Sequence, residues 1–246
     1  MENKTRYDLI ISGVGNSLGG NFANVLIDGI GTINGDVECN DFSISGVGSI
    51  EGSMKAKTGK IIGKGIIAGD LQADELNVNG NVNIHGNVKV EEARFEGVVG
   101  INGSVIAKTL ESKGVITVNG DCNSEVFISR GAFTIGELLN AGNIDIKLYA
   151  PCKAKEIGGE KIEVNMGHSF SLKRLIKFIF PSLAINTGLC AETIEGDEIY
   201  LEYTKAKVIR GNNVTIGEGC EIELVEYKSL FEKSDKSIVI ENKKLG

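Results

Sequence analysis

The side chains that most often carry out chemistry in proteins are few in this chain. It contains two histidines, His85 and His168. A histidine acting as general base or acid needs a nucleophile or a second base within hydrogen-bond reach, and no spacing around either histidine suggests one. His85 shares its repeat position with mostly polar residues, so we interpret it as a surface residue. We therefore expect no catalytic residue and no enzymatic activity.

Carboxylates and thiols give no stronger signal for a metal site. Asp36, Asp70 and Asp121 follow equivalent glycines and could bind a cation, but the repeat described below separates them by about 10 Å or more. The five cysteines include no CxxC pair. Cys39 and Cys122 stand at positions otherwise filled by small or apolar residues, which predicts that both are buried. We expect no metal ion and no cofactor.

The charge and the hydropathy of the chain limit the classes of partner that it is expected to bind. Its net charge is −7 and its pI is about 5.1, which gives no electrostatic footprint for nucleic acid. We find no signal peptide and no apolar stretch of about 20 residues that could span a membrane. The sequence therefore predicts a cytoplasmic protein.

A repeat with a period of about 17 residues organises most of the chain, and a fixed period of this kind is the signature of stacked repeat architectures. One glycine column comprises Gly35, Gly52, Gly69, Gly86, Gly103 and Gly120. A second column comprises Gly29, Gly46, Gly63, Gly80, Gly97, Gly114 and Gly131. An apolar column keeps the same period through Ile33, Ile50, Ile67, Ile84, Ile101, Val118 and Ile135.

Within each repeat the inward positions come in pairs separated by one residue, which is the spacing of β-strands. In the repeat that ends at Gly46, the pairs are 31/33, 37/39 and 42/44. Three short strands are then joined by bends at Gly35, at the polar pair 40–41 and at Gly46. Copies stacked in register, about 4.8 Å apart, form a parallel β-helix. We call one repeat of this helix a coil.

The repeat also predicts how the chain is divided. Residues 22–167 form regular coils and 190–226 further coils, roughly ten in all. Residues 1–21 do not fit the 17-residue repeat and are expected to be an N-terminal cap or flexible segment. Residues 227–246 are expected to be a charged, mostly mobile tail, with a possible last strand at 238–240.

Residues 168–189 break the repeat and predict an amphipathic helical insertion. Lys173, Arg174 and Lys177 would share one helix face, and Pro181 would end the helix. One interpretation is a helix on a membrane surface, and the other is a helix packed on the flank of the solenoid or against another subunit. The candidate membrane or subunit contacts are Lys173, Arg174, Leu175, Ile176, Lys177, Phe178, Ile179 and Phe180.

The corner motif resembles that of a known family. It reads glycine, then Asp, Ser or Asn, then Val, Leu or Met, as in Gly35-Asp36-Val37, Gly69-Asp70-Leu71 and Gly86-Asn87-Val88. It resembles the bactofilins, bacterial polymer-forming cytoskeletal proteins, over about 25–146 and more weakly over 193–225. The resemblance implies a right-handed triangular β-helix that polymerises end to end into non-polar filaments without nucleotide. Such filaments often lie under the membrane and scaffold cell-envelope or motility processes, so the implied partners are further copies, the membrane surface and a second paralogous bactofilin.

The open ends of a stacked β-helix also predict end-to-end assembly, because unpaired strand edges are templates for pairing with another chain. The predicted end-to-end interface comprises Leu9, Ile11, Phe22, Ile222 and Leu224. Two alternatives stay open. The stretch Val214–Glu221 resembles the hexapeptide repeat of left-handed β-helix acyltransferases, although that class has about 18 residues per coil and a catalytic histidine. The other alternative is a membrane-associated scaffold that does not polymerise.

Overall fold

The structure, a computed structural model, describes residues 6–167 and 187–246, which form seventeen β-strands and no helix. The strands are β1 (Leu9–Asn21), β2 (Asn24–Glu38), β3 (Asp41–Ile50), β4 (Met54–Lys55), β5 (Thr58–Ile67), β6 (Leu71–Ile84), β7 (Val88–Phe95), β8 (Val98–Ile101), β9 (Val105–Ser112), β10 (Val115–Val118), β11 (Cys122–Ser129), β12 (Ala132–Leu148), β13 (Cys152–Met166), β14 (Leu189–Leu201), β15 (Thr204–Ile216), β16 (Glu221–Lys233) and β17 (Ile238–Lys244). The chain divides into two compact units, unit 1 up to residue 124 and unit 2 from residue 125.

Unit 1 is a parallel β-solenoid with the predicted period. Its ladders from β2 onward join residues that lie one period apart, as Ile33 pairs with Ile50 and Ile50 with Ile67. These isoleucines are fully buried, as are the later members of their column in this unit. The apolar columns therefore form one continuous core, and the predicted all-β solenoid is confirmed.

Short polar side chains at one corner of unit 1 form a hydrogen-bonded ladder along the stack. Asp36 Oδ1 accepts from the Ser53 backbone N–H at 2.7 Å, and Asp70 Oδ1 accepts from that of Asn87 at 2.7 Å. Asn87 Oδ1 accepts from Ser104 N–H at 2.9 Å. Each side chain thus satisfies a backbone donor one coil away, which is the turn chemistry expected here.

The second glycine column is fixed by the close approach of successive coils. Gly63 has a φ of +121°, and a Cβ on it would collide with the carbonyl oxygen of Gly46. The same collision would occur between Gly97 and Gly80. Only a residue without a side chain fits where two backbones stack so closely.

Unit 2 is also a parallel solenoid, but the step between its paired residues varies. From β12 to β13, Phe133 pairs with Cys152 and Ile144 with Ile162, and both steps are longer than those of unit 1. From β14 to β15 the step is shorter than in unit 1, since Leu189 pairs with Thr204.

Two further ladders of unit 2 complete this variation. From β15 to β16 the step lengthens along the ladder, because Lys205 pairs with Glu221 and Asn213 with Leu230 on either side of a bulge. From β13 to β14 the step is the longest in the chain, because Cys152 pairs with Leu189 and residues 168–186 lie between them. The coils of unit 2 therefore differ in length, whereas those of unit 1 are uniform from β2 onward.

Both terminal segments contain strands that belong to the stack. Residues 9–21, expected to be part of a cap or flexible segment, form β1, which pairs with β2 and has a bulge between Leu18 and Gly20. The segment expected to be a tail continues β16 and then forms β17. The two units together count about 13 coils rather than ten. The predicted helical insertion lies mostly outside the described residues, and Leu189 begins β14.

Candidate functional site

The first strand of unit 1 is an unprotected edge. The strand β1 is 13 residues long and contains no charged residue and no proline. Among the described strands it shares a ladder with β2 alone. Natural edge strands are usually kept from pairing by lysine, proline, bulges or a covering segment, and among the described residues β1 has only its bulge. It is therefore a template for another strand.

The outward side chains of β1 confirm that one of its sides is open. Val14, Ile30 and Val47 stack in one column on β1, β2 and β3. Their exposed fractions are 83%, 55% and 43%. Val14 is the most exposed because it has a neighbour on one side only. A further strand in register with β1 would cover this apolar surface.

The last strand of unit 2 has a similar apolar half. The strand β17 pairs only with β16 among the described strands. Its residues Ile238 and Ile240 are 63% and 77% exposed. Its second half carries Glu241, Lys243 and Lys244, which are the charges typical of a protected edge. The two terminal strands are thus chemically different.

The residues predicted for the end-to-end interface lie close to these strands but mostly face inward. Leu9 is half-buried on β1, Ile11 is buried in the core, and Phe22 is half-buried directly after β1. Ile222 is buried and Leu224 half-buried on β16, where they pair with Val239 and Glu241 of β17. The sequence-based choice followed the inward columns. Along each strand, the exposed apolar residues alternate with the inward-facing ones. An apolar residue at an outward position was therefore the sequence signal that could have identified the exposed set: Ile10, Val14, Leu18, Ile238 and Ile240.

The corner from which residues 168–186 depart is firmly held. Gly167 N–H donates to the Leu148 carbonyl at 3.0 Å, and the Gly188 carbonyl accepts from Cys152 N–H at 2.9 Å. A Cβ on Gly167 would lie 2.5 Å from the ring of Tyr149, and one on Gly188 would lie 2.8 Å from the Tyr203 carbonyl oxygen. The chain therefore leaves and re-enters unit 2 at fixed points. The candidate contacts at 173–180 lie outside the described residues.

Two glutamates hold the same corner together. Glu202 accepts from Met166 N–H and from the Tyr200 hydroxyl, both at 2.7 Å. The hydrogen bond to Glu202 raises the pKa of Tyr200 to about 12. Glu218 accepts from the Tyr203 hydroxyl at 2.9 Å and pairs with Lys236 at 2.8 Å, which lowers the pKa of Glu218. Tyr203 has a φ of +45°, a backbone conformation that this network stabilises.

A groove of about 690 Å³ lies on the outer face of unit 2. One wall follows the register from Lys153 through Cys190, Lys205 and Glu221 to Ile238. The other wall stands on the next outward position of each strand and comprises Lys155, Glu192, Lys207, Glu223 and Ile240. The buried alanines Ala154 and Ala206 line its inner side. Lysine stems and small apolar residues thus make the groove largely apolar.

The cysteines separate into four buried thiols and one accessible thiol. Cys39, Cys122, Cys152 and Cys220 are buried, whereas Cys190 on the groove wall is exposed. Burial raises the pKa of Cys39 to about 11 and that of Cys122 and Cys152 to about 12, so these three thiols are inert. The predicted burial of Cys39 and Cys122 is confirmed, and His85 is exposed as expected. In the part of the chain that is described, no group of three or more His, Cys, Asp or Glu residues could hold a metal ion, and no helix could cross a membrane.

Two proteins of Bacillus subtilis (strain 168) are similar to this chain. The uncharacterized protein YhbE is 62% identical over 221 residues, which cover 89% of this chain and 90% of YhbE. The uncharacterized protein YhbF is 38% identical over 109 residues, which cover 44% of this chain and 42% of YhbF, so this match spans less than half of that relative. No family model and no solved structure matches the chain.

Proposed function

This chain belongs to the same family as YhbE of Bacillus subtilis, and we propose for it a structural function: it self-polymerises end to end into filaments without a nucleotide. The unprotected edge of β1 is the observation that supports this proposal most strongly. A long terminal strand with a free edge, exposed apolar residues and no charge is what strand addition from another chain requires.

The resemblance to bactofilins supplies the cellular role that we propose. The glycine-cornered repeat, with corners such as Gly35-Asp36-Val37, is the feature on which that resemblance rests. By this analogy the filaments scaffold cell-envelope or motility processes, and the protein is not an enzyme. We place it in the cytoplasm, at the inner face of the cell membrane. Its similarity to both YhbE and YhbF of one organism supports a second paralogous chain as a partner besides further copies of itself.

Nothing in the described geometry favours the acyltransferase alternative. The stretch Val214–Glu221 comprises the end of β15, the bend after it and the first residue of β16. In the ladders around it Leu201 pairs with Ile216 and Ile216 with Lys233. These steps are shorter than the coil of about 18 residues in hexapeptide-repeat enzymes. We therefore argue for the filament alone.

Negative-stain electron microscopy of the full chain tests the proposal. At physiological salt and without added nucleotide, we expect filaments whose number and length increase with protein concentration. Liposomes added to preformed filaments then test the proposed membrane location. A monodisperse monomer at every concentration would exclude self-polymerisation.

A further inference from the structure

We propose that β1 of one copy pairs with the terminal edge of unit 2 in the next copy, so that the chains assemble head to tail. The terminal edge consists of residues 230–233 of β16 and residues 238–244 of β17. Among the described strands, neither stretch has a ladder on its outer side. The pairing rests on the proposed polymerisation and names the two surfaces that meet. It gives a polar filament, unlike the non-polar one that the bactofilin resemblance implies.

The ladder between β1 and β2 contains a bulge because β1 is one residue short there. Ser17 pairs with Ile33 and Gly20 pairs with Val37, so a step of three residues on β1 faces a step of four on β2. Ile33 and Val37 are buried core residues, and the bulge falls at the corner between them. The spacing of β1 therefore does not match that of the strand it covers.

The terminal edge of unit 2 has the spacing that β1 requires. Val239 pairs with the buried Ile222 and Asn242 with the buried Val225, so the step at this corner is three residues on both strands. A second copy can therefore place its β1 on this edge without a bulge, with its Ser17 over Val239.

The preceding side of the coil matches in the same register. On β1, the buried Ile11 stands six residues before Ser17. On the terminal edge, Lys233 stands six residues before Val239, and its ladder partner on β15 is a buried core residue. One register therefore aligns two successive sides, with Ile11 over Lys233 and Ser17 over Val239.

This register also brings apolar side chains of the two edges together. Leu18 lies beside Ile240, and these two side chains are 76% and 77% exposed in the single chain. Leu9 lies over Phe231, and both are half-buried because each has a neighbouring strand on one side only. Pairing removes this apolar surface from water.

The free backbone groups of the two edges are complementary. In the described ladders, core residues bond to the following coil and outward residues bond to the preceding one. In unit 1 the Ile33 carbonyl accepts from Glu51 N–H at 2.8 Å, and in unit 2 the Ile216 carbonyl accepts from Ser234 N–H at 2.8 Å. The free groups of β1 therefore belong to its outward residues, and those of the terminal edge belong to its core positions. Pairing them continues the evenly spaced pattern of a parallel ladder.

Lys233 is a charged residue that β1 of the next copy would cover. Its Nζ donates to the Ser237 carbonyl at 3.5 Å, directly before β17. The ammonium group thus keeps a partner within its own chain, and the aliphatic stem is the part of Lys233 that lies under Ile11.

Two β1 strands do not match each other in this way. An antiparallel pairing centred on residues 15–17 would set the step of four from Ile11 to Gly15 against the step of three from Ser17 to Gly20. Head-to-tail pairing aligns both corners. It also leaves one β1 and one terminal edge free after each addition, so growth continues with one polarity.

Cysteine cross-linking of the assembled full chain tests this register. The exposed Cys190 is replaced by serine, and the four remaining thiols are buried. We compare Leu18→Cys/Ile240→Cys, whose thiols meet in the proposed register, with the control Ile10→Cys/Ile240→Cys, whose first cysteine lies eight residues away along β1. All three replaced side chains are exposed. A short bismaleimide is expected to link the first variant into a ladder of covalent oligomers on denaturing gels and to leave the control monomeric.

Chains with a single introduced cysteine identify the ends that meet. A mixture of Leu18→Cys chains and Ile240→Cys chains is expected to give covalent dimers of one chain of each kind, whereas either chain alone stays monomeric on the gel. Dimers formed by Val14→Cys, Asn16→Cys or Leu18→Cys chains alone would show that two β1 strands meet and would overturn head-to-tail pairing.

Electron microscopy of the same variants before the reagent is added separates the two proposals. Filaments that give equal cross-linking in the first variant and the control, or none in either, would overturn the register and leave polymerisation standing. The absence of any assembly would overturn both.

Discussion

At the scale of single residues, one hydroxyl group can have opposite effects at two positions of the same coil. Ser104 Oγ accepts from Asp121 N–H at 3.1 Å and belongs to the corner ladder. Ser112 Oγ is buried in the core and has no hydrogen-bond partner among the described residues. The first hydroxyl satisfies a backbone donor, and the second carries an uncompensated desolvation cost.

We therefore expect Ser112→Ala to raise the free energy of unfolding by about 1 kcal/mol, and Ser104→Ala to lower it by about the same amount. Urea unfolding of both variants, followed by circular dichroism, measures the two shifts. Destabilisation by Ser112→Ala would mean that its hydroxyl is satisfied in solution, for example by a buried water.

The tyrosine beside the departure point of residues 168–186 gives a pH-dependent prediction. Tyr200 donates to Glu202, and this bond raises the Tyr200 pKa from its usual value near 10 to about 12. The folded state then holds the phenolic proton more tightly than the unfolded state does. Its contribution to stability is complete below about pH 10 and is lost as pH rises through about 12.

We expect wild type to be more stable than Tyr200→Phe at pH 9, and the difference to shrink progressively toward pH 12. Urea midpoints of both proteins at each pH measure it, and the comparison cancels the titration of lysines common to both. A difference independent of pH would show that the Tyr200 hydrogen bond does not control this titration.

At the scale of the coil, the close stacking of glycine backbones sets the geometry of unit 1. Gly63 and Gly13 both have positive φ, but a Cβ on Gly63 would strike Gly46, whereas one on Gly13 would meet nothing within 4 Å. Alanine at either position incurs the conformational cost, and only alanine at Gly63 also forces two coils apart. We expect Gly63→Ala to destabilise the protein by about 1–3 kcal/mol more than Gly13→Ala does.

Thermal unfolding of the two variants at low protein concentration, where both are monomeric, measures this difference. Equal losses would indicate that the coils can separate enough to admit a methyl group. The cost of the column would then be conformational rather than steric.

The extent to which the sequence predicts these elements follows from the regularity of the columns. Ile33, Ile50 and Ile67 recur at one fixed spacing and face one core, so period, strands and register follow from that spacing. The step between β1 and β2, where Leu9 pairs with Val25, is shorter than the period of the other coils, so a search for that period does not find β1. The glycines of β1 also resemble those of a flexible segment. The groove is also hidden, because it arises from outward residues on β12 to β17 whose coils differ in length. The periodicity of the apolar columns therefore predicts which residues form the core, but it does not predict the shape of the surface.

At the scale of the whole molecule, the proposed polymerisation depends on two terminal strands that differ in charge. The strand β1 is apolar and uncharged throughout, whereas β17 is apolar at Ile238 and Ile240 and charged beyond them. A chain that must remain a monomer would be expected to carry charges on both. The absence of charge on β1 is thus the feature that the polymerisation proposal explains.

Sedimentation velocity of Ile10→Lys/Val14→Lys beside the matched control Ile62→Lys/Val98→Lys tests this claim most directly. All four side chains are exposed, but Ile62 on β5 and Val98 on β8 lie inside unit 1 rather than on its terminal strand. With circular dichroism unchanged in both variants, we expect the control to form the large assemblies of the wild type and the β1 variant to remain a monomer. Assemblies of equal size in the two variants, or no assembly by the wild type, would contradict the account.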